Sequence, residues 1–256
     1  MNIYSAIIPF LLTLLAGLST VLGSFIFLNN IFRGKKFLGF FLGLSAGVMV
    51  SLSFLELLPY AIKIIGFTNA NIFFFLGIIF MALIDFFIPH RYLEEKVYQQ
   101  NSTINRKMLS TGLVVTIGLA IHNFPEGMAV FLSSFSDIKL GVLLALAIAV
   151  HNIPEGIAVA APIFHATHNK MKAIKYAFIA GMAEPLGAII AYFILAPYLS
   201  QNTLSYIFAL VAGIMVYISF DELLPACFKD ECGNGHRSVL GVMIGMGIVS
   251  LSLLFL

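Results

Sequence analysis

Apolar runs of membrane-spanning length follow one another along almost the whole chain, and that succession restricts the fold more than any other feature. A bilayer core takes about 20 predominantly apolar residues per helix. Such runs fall at roughly residues 3 to 28, 37 to 62, 71 to 89, 109 to 134, 139 to 164, 173 to 197, 203 to 226 and 238 to 256. Of the 256 residues 60% are hydrophobic and 10% charged, whereas a soluble domain carries about 25% charged residues. The expected fold is therefore all-α, a polytopic membrane helix bundle of eight transmembrane helices in one domain covering residues 1–256. The longest polar stretch, around Arg91 to Lys107, is too short to bury a core of its own. The chemistry must lie among the helices.

The first span has no basic segment before Ile3 and no small-residue cleavage site leading to a polar domain, so it reads as a retained helix. Cys227 and Cys232 flank Lys229, Asp230 and Glu231 without zinc-finger spacing and read as free thiols. With eight spans, the odd-numbered loops share one side. They hold Arg33, Lys35, Lys36, Arg91, Lys96, Arg106, Lys107, Lys170, Lys172, Lys175, Lys229 and Arg237, which is 12 of the 14 basic residues. The other side holds only Lys63 and Lys139. The positive-inside rule then predicts a multi-pass protein of the cell membrane with both termini on the non-cytoplasmic side. The basic residues are scattered over four short loops, which speaks against a nucleic-acid partner.

Within this apolar chain the hexapeptide His122-Asn123-Phe124-Pro125-Glu126-Gly127 recurs as His151-Asn152-Ile153-Pro154-Glu155-Gly156, 29 residues on. Ionisable groups at the bilayer centre cost several kcal/mol unless paired, metal-bound or facing water, so they mark an ion pathway by default. The spacing puts the copies on consecutive, antiparallel spans, where inverted repeats meet around a midplane site. In a helix His122, Asn123 and Glu126 project within an arc of about 100°, as do His151, Asn152 and Glu155. Pro125 and Pro154 free the carbonyls of Ile121 and Val150 and predict kinks there. The sixth span adds Glu184, followed by Pro185. Imidazole, carboxylate and amide donors together suit zinc and first-row divalent metals. No Lys or Arg lies mid-span, so protons or bound cations must balance the three acids. One divalent ion leaves a formal −1 and two leave +1, so one metal with a shared proton, or two metals, satisfies the charge.

A second repeat aligns residues 46–59 (AGVMVSLSFLELLP) with 212–225 (AGIMVYISFDELLP), identical at ten of fourteen positions. These spans also run in opposite directions. Glu56 is thus predicted near the outer surface, and Asp221 and Glu222 near the inner one, as entrance and exit. Ala46, Gly47, Ala212 and Gly213 read as close-packing positions.

The twin His-Asn-x-Pro-Glu-Gly segments, the Ala-Glu-Pro-Leu-Gly around Glu184 and the paired Glu-Leu-Leu-Pro ends closely resemble the ZIP (Zrt/Irt-like protein) divalent metal transporters, in their bacterial ZupT-like branch. The resemblance covers essentially the full length. It implies a 3+2+3 arrangement with inverted repeats and uptake of divalent cations into the cytoplasm, mainly zinc, with iron, manganese, cobalt or cadmium accepted by some members. It also implies that His122, Asn123, Glu126, His151, Asn152, Glu155 and Glu184 line a one-metal or two-metal site, Asn123 and Asn152 through amide oxygens. Helices one, four, five and six would move as a unit against the other four. The transported metal is the expected ligand, with no prosthetic group, and a homodimer is compatible with the reading.

This chain lacks the long His-rich loop of many eukaryotic relatives, with only His90 nearby. His165 and His168 read as interfacial polar residues or a route for inward release. Asp85 is explained as well by a cap or loop contact as by transport. The competing readings are a divalent cation/proton antiporter working as an exporter and an intramembrane metallohydrolase. Neither a His-Glu-x-x-His segment nor a Walker A sequence is present, so the expected protein is not an enzyme.

Overall fold

The computed structural model describes residues 3–29, 35–87, 106–228 and 235–255. Arg33, His90, Arg91, Lys96, Lys229 and Cys232 lie outside the described residues. Every element among the described residues is helical. α1 spans Ile3–Leu28 and α2 spans Lys35–Leu52, which runs through a π-helical turn, Ser53–Leu57, into α3, Leu58–Phe87. α4 covers Arg106–Ser136 and α5 Ile138–Thr167, with Asp137 alone between them. α6, Lys170–Gly181, is followed by α7, Ala183–Ile190, and by a second π turn, Ala191–Leu195. α8, Gln201–Ile218, passes through a third π turn, Ser219–Leu223, into the short α9, Leu224–Cys227. α10 is Gly235–Ser252.

Six of these helical stretches are long and apolar enough to cross a membrane. One of the six, Gly39–Phe86, is 48 residues long, about twice a single crossing. It breaks at Gly66, where φ is +78°. L side chains rarely take that conformation, so glycine is required at this kink. Polar side chains start the other turns. Asp137 accepts the Lys139 N–H at 2.8 Å, Asn169 the Lys172 N–H at 3.0 Å and Ser200 the Thr203 N–H at 3.1 Å, each satisfying a helix N-terminus.

The distribution of side chains is that of a lipid-solvated bundle. Phe25, Phe67, Phe86, Phe193 and Leu254 stand on the outside, while His122, Glu126, His151, Glu155 and Glu184 have no exposed surface at all. Lipid is as apolar as leucine, so helix association depends on close packing rather than on exclusion of water. Gly43 and Gly47 of α2 meet the main chain of Ser238 and Val242, and Gly241 and Gly245 of α10 meet Phe40 and Leu44 in return. A Cβ at any of the four would overlap backbone atoms. Gly213 and Gly77 lock α8 to the second half of α3 in the same way, while Ala46 and Ala212 are buried, as expected of packing positions.

The second repeat is also visible as backbone geometry. Both copies form a π turn at the same place, Ser53–Leu57 and Ser219–Leu223. In each the serine hydroxyl donates to a carbonyl four residues back, Ser53 to Met49 at 2.8 Å and Ser219 to Met215 at 2.7 Å. Pro59 and Pro225 follow, and each would clash with the carbonyl four residues earlier in a regular α-turn. The wider turn relieves that clash and re-aims Glu56, Asp221 and Glu222. The helix contacts exchange under the same relation. α1 packs on α5 as α4 packs on α7, and α2 on α10 as α3 on α8.

Candidate metal centre

α4 and α5 bring the two hexapeptides face to face. Both helices run without interruption through Pro125 and Pro154, so the predicted kinks leave the helical assignment of these segments intact. The interruption lies instead in the next helix, at Met182 between α6 and α7. Pro185 sits in the first turn of α7, where its missing N–H has no partner to lose. Glu184 occupies the same turn, at the positive end of the helix dipole. Gly127 admits this turn, because a Cβ there would overlap the main chain of Glu184.

Four side chains form a partial ring, joined by three contacts and open between His151 and Glu155. His122 Nε2 lies 3.3 Å from Glu126 Oε1 and 3.4 Å from Glu155 Oε1, and His151 Nε2 lies 3.1 Å from Glu126 Oε2. The ring planes of the two histidines are 40° apart, with centroids 6.5 Å apart. One donor atom each from His122, His151 and Glu155 falls within 4.8 Å of the others. A tetrahedral ion with ligands at about 2.0–2.1 Å separates neighbouring donors by about 3.3–3.4 Å. The three contacts of 3.1 to 3.4 Å are close to such edges. His122 Nε2, although near two carboxylates, makes no hydrogen bond.

The remaining residues surround this ring. Asn123 Nδ2 donates to the Ala180 carbonyl at 3.2 Å, while Asn152 Nδ2 donates to the Ala16 carbonyl at 2.9 Å and to Glu184 Oε1. Both amides are therefore held by their donor ends. Asn123 Oδ1, Asn152 Oδ1, Glu155 Oε2 and Glu184 Oε2 stay buried without a hydrogen-bond donor. Orphaned buried acceptors each cost about 1–3 kcal/mol. A set of buried acceptors without donors, drawn from three helices, has the composition of a cation site rather than of a helix-joining network.

Ser45 is a member that sequence reasoning passes over. Its hydroxyl reaches Glu155 Oε1 at 3.5 Å from α2, outside the helices that carry the hexapeptides. A serine among the small residues Gly43, Ala46 and Gly47 was its one signal. Gly43-Leu44-Ser45-Ala46-Gly47 does match a hydrolase G-x-S-x-G pattern. It lies inside a continuous helix rather than on a strand-to-helix elbow, so it is no nucleophile motif.

Three predicted residues stand apart from the ring. Glu222 is half-buried against Gly118, where a Cβ would approach its carboxylate oxygens to 3.2 Å, one turn before His122. Asp221 is exposed, and Glu56 is half-buried at the other π turn. Asp85 is the hydrogen-bond partner of the Tyr217 phenol. His165 packs edge-on against Phe27 and Phe164, and His168 caps α5 in the left-handed region. Cys227 is a buried free thiol whose Sγ donates to the Leu224 carbonyl.

Residues 94–253 match the family model described as ZIP Zinc transporter. The chain is 45% identical over 255 residues to the zinc transporter ZupT of Streptococcus mutans, covering 96% of each protein. It is 45% identical over 271 residues to that of Chlorobium limicola, covering 100% of this chain and 99% of the relative. With the Chlorobium phaeovibrioides protein of the same name the identity is 48% over 264 residues, covering 96% and 97%.

Proposed function

The chain belongs to the ZIP zinc transporter family, and from that premise we propose that the buried His–Glu ring is the transit site through which divalent metals, zinc foremost, enter the cytoplasm. This is a metal-ion transporter, not an enzyme, held in the membrane by several apolar helices. Iron, manganese, cobalt and cadmium complete the candidate substrate class. The observation that carries the reading is the ring itself. His122, Glu126, His151 and Glu155 lie fully buried at separations of 3.1 to 3.4 Å, with unpartnered acceptors from Asn123, Asn152 and Glu184 around them.

Transport follows from the charge arrangement. Glu56 gathers cations at one mouth, the ring exchanges their hydration shell for imidazole, carboxylate and amide donors, and Glu222 with Asp221 receives them at the other. An inside-negative potential of 100 mV favours entry of a divalent ion by about 4.6 kcal/mol, twice the roughly 2.3 kcal/mol per charge. Uptake therefore needs no nucleotide. The topology we assign has eight crossings in a 3+2+3 arrangement, with both termini outside the cytoplasm. The break at Gly66, the paired π turns and the exchange of helix contacts support it. One domain spans residues 1–256.

The test is zinc influx into vesicles loaded with a zinc-sensitive dye, comparing the native protein with Glu126→Ala and Glu155→Ala. Rapid native flux that both substitutions abolish is expected. Unchanged flux in both would remove the ring from the pathway.

A further inference from the structure

A crevice of about 670 Å³ opens between α5, α2 and α10, within the roughly 300–1,000 Å³ range of ligand-binding cavities. Val142, Leu146 and Val150 of α5 form one wall at four-residue intervals, and Val48 of α2 and Ile248 of α10 form the other. Among the described residues its one charged lining residue is Lys139, in the first turn of α5. From Lys139 to Val150 is eleven residues, or about 17 Å along a helix at 1.5 Å per residue. That is about half of the roughly 30 Å hydrocarbon core, the depth of a single leaflet.

A slot one leaflet deep, apolar along its length and cationic at its lip, matches one class of ligand in a bilayer. We propose that this crevice binds an anionic phospholipid, with an acyl chain along Val142, Leu146 and Val150 and the headgroup phosphate on Lys139. Laid along the apolar wall, the lysine stem would carry its ammonium to the headgroup level. Asp137 supplies the neighbouring negative charge, and one of its carboxylate oxygens already accepts the Lys139 main-chain N–H at 2.8 Å. A second apolar crevice provides an internal contrast. It has about 950 Å³ of space, is walled by Phe80 of α3, Phe124 of α4, Met182 and Ile214 of α8, and has no charged lining residue among the described residues. It offers acyl chains a place but gives headgroups nothing to distinguish.

The lipid would also bear on the metal site. Val150 directly precedes His151, so a chain seated in the slot backs the helical turn that presents this imidazole and fixes the distance between α5 and the α2–α10 pair.

The experiment is native mass spectrometry of the protein released from nanodiscs of equimolar phosphatidylglycerol and phosphatidylcholine. The native protein should retain phosphatidylglycerol over phosphatidylcholine on the order of fivefold. Lys139→Gln should retain lipid without preference, Lys139→Arg should restore the preference, and Val142→Phe, which fills the slot, should lower retention of both lipids. Equal retention of the two lipids by the native protein, or a preference unchanged in Lys139→Gln, would overturn the proposal. Equal helical circular dichroism and a single monodisperse elution peak for all four proteins establish that each is folded.

Discussion

His151 Nε2 lies 3.1 Å from Glu126 Oε2, so the imidazole of one hexapeptide meets the acid of the other across the α4–α5 interface. Each hexapeptide alone offers one imidazole and one carboxylate. Only the antiparallel pairing of two consecutive helices makes a site of them, and the single-residue turn at Asp137 sets their register.

Removal of Glu126 should be the most damaging single change at the centre. Its two oxygens approach both histidines, so Glu126→Gln removes the charge that serves both while keeping the volume. Zinc affinity, measured by calorimetry on the purified protein, should fall by more than tenfold. A loss below threefold would mean that Glu126 is not a ligand.

Asn152→Ala tests the anchoring of Glu184. The amide is the hydrogen-bond donor to Glu184 Oε1 and also holds the Ala16 carbonyl. Without it a buried carboxylate oxygen loses its donor, at about 1–3 kcal/mol, while the Ala16 carbonyl keeps the Ser19 hydroxyl at 2.6 Å. Metal-free thermal unfolding should show that destabilisation, and added zinc should recover part of it because the metal binds the folded state alone. An unchanged melting temperature would contradict the hydrogen-bond arrangement.

Gly127→Ala should act through shape alone. The added methyl group would overlap the main chain of Glu184 at the α4–α7 contact, and overpacking of this kind costs about 1–3 kcal/mol. Chemical denaturation should report a loss of that size. Gly247→Ala is the control, since its Cβ would meet nothing within 4 Å.

Zinc binding should weaken as pH falls. Histidine coordinates only when neutral and carboxylate only when ionised, so the metal-free site holds more protons than the loaded one and binding releases them. Acid therefore favours the empty site, and zinc-dependent stabilisation should shrink from pH 7 to pH 5. Calorimetry in buffers of different ionisation enthalpy measures the released protons. Zero release would contradict coordination by these residues.

The membrane class and both repeats were legible because apolar run length and exact recurrence are local properties of the sequence. His122, Glu126, His151 and Glu155 were legible for a related reason, since ionisable residues in lipid stand out against their neighbours. The π turns at Ser53 and Ser219 were not, although Pro59 and Pro225 marked their ends. A proline demands relief of a clash, but a kink, a break or a widened turn can each supply it, and tertiary packing selects among them. At Pro125 and Pro154 packing kept continuous helices, and near Pro185 it chose a break at Met182. Ser45 was hidden for a third reason. Its partner Glu155 lies 110 residues away, and only the fold of α2 against α5 brings them together.

The most direct test of the claim that the two hexapeptides build one site is a double-mutant cycle on zinc affinity with His122→Ala and His151→Ala. A shared site predicts strong non-additivity, the double variant losing little more than either single one. Losses that add within about 0.5 kcal/mol would show two independent sites and contradict the account.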